Sequence, residues 1–172
     1  MLELDAVDET NVKFYEILSS GNTVETQNVT IAELNADTAY GFHAEKVSLT
    51  GVYVSYYSYS SSYGNVDYTL NDGNGNTIKI SRVKVASEAE CIAAGSIVNV
   101  DANVSVYKNA NQLVTSNDKI VVTGTCGHEN TELVNAETAT CTEAGYTGDT
   151  MCTVCGNYVA RGEEIPATGH SY

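Results

Sequence analysis

From residue 39 to residue 124 apolar and polar positions alternate with the period of two that sends successive strand side chains to opposite faces. Phe42 to Tyr59 is the longest such stretch, rich in β-branched and aromatic residues, with Val47, Leu49, Gly51 and Tyr53 on one alternation. Val66, Tyr68 and Leu70 predict a second strand, and Ile78 and Ile80 open a third. Between them lies Asn71-Asp-Gly-Asn-Gly-Asn76, a hairpin turn whose glycines supply positive φ at no steric cost. The clearest run places Val98, Val100, Ala102, Val104 and Val106 on one face and Asn99, Asp101, Asn103 and Ser105 on the other. A last strand or pair covers Leu113–Val122, and Gly124 closes the region.

Helical signals are short. Thr30 followed by Glu33 predicts a capped turn over Thr30–Leu34. Ser87, with Glu90 three residues later and Gly95 beyond, predicts a short helix between the third and fourth strands. Residues 1–29 form a polar lead-in whose one apolar patch, Val12–Leu18, reads as a helical turn or a strand remnant.

Strand, strand, strand, helix, strand, strand, with a long first strand, is the order of an OB-fold barrel. The stretch Lys46-Val-Ser-Leu-Thr-Gly51, Asp67-Tyr-Thr-Leu-Asn-Asp-Gly73, Ile78-Lys-Ile80 and Gly95-Ser-Ile-Val-Asn-Val100 resembles the OB-fold domains of bacterial secreted and surface proteins. It departs from their pattern at Ser96, where Asp is usual, and at Asn76–Thr77, where an apolar step is usual. The expected fold is mainly β: a small OB-like Greek-key β-barrel with one short helix over residues 30–124, joined to a small Cys/His, zinc-ribbon-like module over residues 125–172.

In that second segment the alternation stops and the chemistry changes. Four of the five cysteines and two of the three histidines fall within residues 126–172, among few apolar residues. So small a unit lacks a hydrophobic core and must be held by a metal or by disulfides. Cys152-Thr-Val-Cys155-Gly156 has the form of a thiolate knuckle, with Gly allowing backbone N–H groups to turn back toward sulfur. Cys141 is the nearest third ligand, and His128 and His170 compete for the fourth place, with Cys126 a further candidate. Structural zinc is the favoured cofactor, because disulfides would leave the histidines idle. The disulfide alternative would pair Cys126 with Cys141 and Cys152 with Cys155, among three connectivities.

Cys126-Gly-His128, Ala139-Thr-Cys141-Thr-Glu-Ala-Gly145-Tyr-Thr-Gly-Asp149, Cys152-Thr-Val-Cys155-Gly and Ile165-Pro-Ala-Thr-Gly-His170 also resemble a short Cys/His repeat. That repeat is common near the ends of large surface and secreted proteins of Gram-positive anaerobic bacteria. The resemblance implies a non-catalytic module of unknown ligand, stapled by metal or disulfides, within a longer polypeptide.

Charge narrows the partners. The formal net charge is −14, and residues 125–172 carry one base, Arg161, against seven acids. No basic stripe exists to attract nucleic acid or an anionic membrane, which disfavours the alternative of an intracellular zinc-ribbon/OB nucleic-acid binder. No apolar run is long enough to insert into a bilayer. The first residues lack the positive start and apolar core of a signal peptide. That leaves a cytosolic protein or a piece of a longer secreted one. The polar, Ser/Thr/Asn-rich composition with its Cys-rich tail favours the second, at the cell surface or outside it.

Tyr53, Tyr56, Tyr57, Tyr59 and Tyr63, interleaved with serines, are the candidate ligand-binding residues. Their rings combine flat apolar area with a polar tip, suited to a glycan or a protein surface. They run along the first strand, near the face on which OB-folds take oligomeric ligands. Cys91 reads as a buried structural thiol. Asp72-Gly-Asn74-Gly-Asn76 fails as a calcium loop, because Thr77 and Val83 stand where Gly and a bidentate acid are required. No nucleophile, base and orienting group occur in a catalytic pattern, so a non-enzymatic role is expected.

Overall fold

The computed structural model of the chain describes residues 25–170, so the patch Val12–Leu18 lies outside the described residues. In chain order the elements are β1 (Gln27–Asn28), α1 (Ile31–Ala36), β2 (Lys46–Ser60), β3 (Asn65–Asn71), β4 (Thr77–Lys84), β5 (Ser96–Tyr107), β6 (Ala110–Val114) and β7 (Ile120–Thr125). Then follow β8 (Thr131–Val134), β9 (Gly145–Tyr146), β10 (Asp149–Cys152), β11 (Tyr158–Ala160) and β12 (Glu164–Ile165). The first seven strands make one sheet ordered β1-β2-β3-β4-β6-β5-β7, and a further β2–β5 pairing closes it. β2, β3, β4, β6 and β5 thus form a five-stranded barrel in the Greek-key order expected of an OB-like fold. The parallel step that completes it is the Ile80–Leu113 pairing between β4 and β6.

The inward faces of β3 and β5 follow the sequence pattern: Val66, Tyr68, Leu70, Val98, Val100, Ala102 and Val104 are all buried. β2 departs from it. Val47 and Leu49 point inward, but the register shifts before Val52, and Val52 and Val54 are then the buried residues. Gly51 sits at φ +67 in this bulge, and its N–H donates to Asn99 Oδ1 at 2.9 Å. Gly51 and Tyr53 therefore leave the face on which simple alternation places them. A second shift at Ser55 restores the phase, so that Tyr57 and Tyr59 pack against the core. Two bulges let one 15-residue strand bend around the barrel and pair with β5 at one end and β3 at the other.

α1 forms where the capping box predicts it. Thr30 Oγ1 accepts from Glu33 N, and the Glu33 carboxylate accepts from Thr30 N at 2.8 Å. Ile31 and Leu34 are fully buried, and Asn111 Nδ2 on β6 donates to Leu34 O, so the helix is packed into the barrel core. The helix expected after Ser87 is only a 3₁₀ turn over Glu88–Glu90. Ser87 makes no side-chain cap, and Glu90 accepts instead from Ala86 N. Beyond it Cys91 is extended, and Tyr68 Oη accepts from Ile92 N at 3.0 Å. Gly95 N reaches Val54 O at 2.7 Å, so this segment runs across the barrel instead of coiling. Cys91 is half-buried against the core, and burial with nearby Glu88 keeps its thiol above the ordinary value.

The hairpin turn is built as its sequence implies. Asp72 accepts from the backbone N–H groups of Asn74 and Asn76 and from Asn76 Nδ2, while Gly73 and Gly75 adopt positive φ.

Beyond β7, strands β11-β10-β8 form a three-stranded sheet and β12-β9 a two-stranded one. The Gly145-Tyr-Thr-Gly-Asp149 string has a residue-by-residue rationale. A Cβ on Gly145 would lie 2.3 Å from Ala139 N, so only Gly fits there. Gly148 holds φ +90 beside Leu133 and Ala136. Tyr146 Oη donates to Asp149 at 2.5 Å, and Thr147 Oγ1 accepts from Glu163 N. Asp149, buried, also accepts from Asn135, Arg161 and Gly162 N. Tyr146 above all, with those donors, overcomes burial and brings its carboxyl down to about 2. A fully satisfied carboxylate thus organises a unit with little apolar core. No helix among the described residues is long and apolar enough to cross a membrane.

Candidate metal centre

Cys126, His128, Cys152 and Cys155 converge where the barrel meets the small module, each offering a ligand atom within 4.8 Å of the others. Three local structures bring them together. β7 ends at Thr125 and delivers Cys126, whose N–H donates to Gly95 O at 2.7 Å. His128 follows in a left-handed conformation, φ +53, which turns its ring back toward the sulfurs. β10 ends at Cys152, and the knuckle closes when Gly156 N donates to Cys152 O at 2.9 Å with Gly156 at φ +73.

Two of the distances within the group suit a tetrahedral ion. Cys126 Sγ and Cys152 Sγ are 3.7 Å apart, and Cys155 Sγ lies 3.4 Å from His128 Nδ1. A tetrahedral ion bound at about 2.3 Å to sulfur and about 2.0 Å to nitrogen sets S···S and S···N edges of about 3.8 and 3.5 Å. A disulfide needs sulfurs about 2.0 Å apart, and all five cysteines are unbridged. The set can therefore hold a metal ion through three sulfurs and one imidazole nitrogen.

Its electrostatics point the same way. Burial resists ionisation of Cys152, yet N–H groups of Cys155 and Val154, together with His128, pull its thiol well below the ordinary value. Burial, with Cys152 and Cys126 alongside, pushes the Cys155 thiol well up. One thiolate is welcome and a second is opposed. A divalent cation removes that opposition, since metal binding drives thiol deprotonation.

The barrel supplies part of the surroundings. A Cβ on Gly95 would come within 3.2 Å of His128 Cε1 and Nε2, and Gly95 itself lies at φ +89. A Cβ on Gly156 would approach Asn71 Nδ2 of β3 to 3.1 Å. The centre thus sits against the barrel wall, between two glycines that no larger residue replaces without displacement.

Of the ligands expected from sequence, Cys152, Cys155 and His128 are in this group, and Cys141 and His170 are not. Cys141 is exposed, and its carbonyl accepts from Gly169 N at 3.1 Å. In the four-residue group Cys126 takes the place assigned to Cys141. The signal for it was the Cys126-Gly-His128 spacing itself, two ligand types flanking a glycine at a strand end. Gly95, which no metal-ligand motif includes, gave no signal.

The tyrosine string does not form one platform. Tyr56 and Tyr63 are exposed, at 63% and 74%, whereas Tyr57 and Tyr59 pack partly against the core. Tyr53 is half-buried, with its ring against Gly73. Tyr56 and Tyr57 line a cavity with Tyr158 and Arg161, while Tyr63 belongs to a separate one with Arg82 and Lys84.

Barrel and centre together define the class: a closed OB-like barrel joined to a small module built around a Cys₃His group. No protein-family model matches the chain, and comparison with curated proteins finds no match.

Proposed function

We propose that the chain is a non-catalytic binding and structural segment of a larger extracellular or cell-surface bacterial protein. In this reading the Cys₃His group binds structural zinc, which staples the module to an OB-like barrel, and the exposed tyrosines contact a glycan or a protein surface. The observation that carries it is the donor set. Three thiols and an imidazole within 4.8 Å of one another can supply four ligands from the protein alone, the donor set of structural zinc. The resemblance of residues 126–172 to a surface-protein repeat, and of the barrel to secreted OB domains, supports the setting. A nucleic-acid partner is disfavoured. Only eight bases occur among 172 residues, and Lys79, Lys119 and Arg161 are engaged by carboxylates.

The test is retention of the zinc-loaded, fluorescently labelled chain on arrays of glycans and extracellular-matrix proteins, beside single- and double-stranded DNA. Saturable retention on a glycan or a protein, with none on DNA, is expected. Retention on DNA alone, or turnover of an arrayed glycan, contradicts the proposal.

A further inference from the structure

Between the bulged part of β2 and the strand that leaves the metal knuckle lies an open cavity of about 470 Å³. One wall is Ser55, Tyr56 and Tyr57 of β2, and the other is Asn157, Tyr158 and Arg161 of the module. Neither segment makes this cleft alone, and nothing in the tyrosine spacing of β2 announces the second wall.

The chemistry of the walls is specific. Tyr56 and Tyr158 keep 63% and 39% of their surface exposed, so two aromatic rings open to solvent border the same cavity. The Arg161 guanidinium lies 4.0 Å from the Tyr158 ring centroid. Its Nη1 is held at 3.1 Å by Asp149, whose side chain is only 5% exposed, so both ring and guanidinium are oriented in advance. Ser55 and Asn157 add a hydroxyl and an amide. Flat aromatic surface flanked by neutral and planar hydrogen-bonding groups suits the C–H face and hydroxyls of a sugar ring. A volume of this order takes one or two such rings, not a protein element.

Charge selects among sugars. Arg161 is already matched by Asp149, and the chain as a whole carries −14. An anionic saccharide would meet net repulsion, and a neutral one would not.

We propose that this seam cleft is a subsite for a neutral glycan, with Tyr56 and Tyr158 as stacking residues and Arg161 and Asn157 as hydrogen-bonding groups. The proposal rests on the binding-segment reading above and fixes its ligand class and location. It also makes the metal group a positioning device. Asn157 O accepts from Cys152 N at 2.8 Å, and Ala94, which also lines the cleft, adjoins Gly95, where an added Cβ would lie 3.2 Å from the His128 ring. Loss of the metal frees one wall from the other.

The test uses the full zinc-loaded chain and saturation-transfer NMR against cellohexaose, xylohexaose, mannohexaose, N-acetylchitohexaose and oligogalacturonate. At least one neutral oligosaccharide is expected to bind saturably, and more tightly than oligogalacturonate. Tyr56→Ala and Tyr158→Ala should each weaken that binding tenfold or more, while Val121→Ala, exposed on β7 and outside the cleft, leaves it unchanged. Chelation should abolish it. Binding by no neutral member overturns the proposal, as does preference for oligogalacturonate. Neutral binding that survives both Tyr56→Ala and Tyr158→Ala also overturns the cleft, but leaves a glycan-binding segment standing. Array retention on protein alone overturns the glycan and leaves the wider reading intact.

Discussion

Replacing Cys126 and Cys141 one at a time separates the ligand set of the folded chain from the one that sequence spacing favours. Cys126 Sγ lies 3.7 Å from Cys152 Sγ, within the four-residue group, whereas Cys141 is exposed and outside it. Structural zinc sites release about 10–16 kcal/mol on binding, so an even share is about 2.5–4 kcal/mol per ligand. Water can fill the vacated position and return part of this. Cys126→Ser should then cost about 3 kcal/mol, a loss of roughly 100-fold or more in affinity. Cys141→Ser should change affinity less than about twofold, because an exposed thiol outside the group contributes no bond. Competition of the zinc-loaded chain with a chromophoric chelator at pH 7 reads both values, and cobalt substitution reports thiolate ligation through its charge-transfer absorption. Equal weakening by the two substitutions, or weakening by Cys141→Ser alone, would refute the assignment.

Other perturbations test the supports around the centre. Gly95→Ala places a methyl group 3.2 Å from the His128 ring at a backbone φ of +89, and should weaken metal binding by about 10- to 100-fold, as loss of an outer-shell contact does; an unchanged chelator competition would remove Gly95 from the account. Leu34→Ala opens a cavity at a fully buried position and should destabilise the barrel by about 2–5 kcal/mol in urea unfolding; a loss below about 1 kcal/mol would mean α1 does not belong to the core. Asp149 has its folded pKa lowered from 3.8 to about 2, so its contribution is complete above the unfolded value and is lost as pH falls from about 4 through about 2. Asp149→Asn should lower amide protection in residues 131–165 at neutral pH, with the gap from wild type closing across that acid window; a gap constant with pH would contradict the role of the carboxylate.

The sequence made the barrel legible because its inward faces are long, regular and β-branched; Val98 through Val104 lie buried as the alternation places them. What it hid in β2 was phase. Gly51 reads as one more inward position until its positive φ and its bond to Asn99 make it a bulge, and Tyr53 and Val54 then exchange faces. The expected helix after Ser87 failed for a tertiary reason: Tyr68 Oη and Val54 O accept from Ile92 N and Gly95 N and hold the segment across the barrel. The CxxC-Gly knuckle was readable because its geometry is local. The choice between Cys126 and Cys141 was not, since it depends on where β7 ends. The seam cleft was equally hidden, as its walls lie about 100 residues apart in the chain.

The central claim is that three cysteines and one histidine hold a zinc ion against the barrel wall. Zinc K-edge X-ray absorption on the chain purified without added metal, with metal content measured on the same sample, tests it most directly. The account predicts one zinc per chain, with three sulfurs at about 2.3 Å and one nitrogen at about 2.0 Å. A metal-free protein with four thiols oxidised, or a shell of four sulfurs or of oxygen ligands, would contradict it.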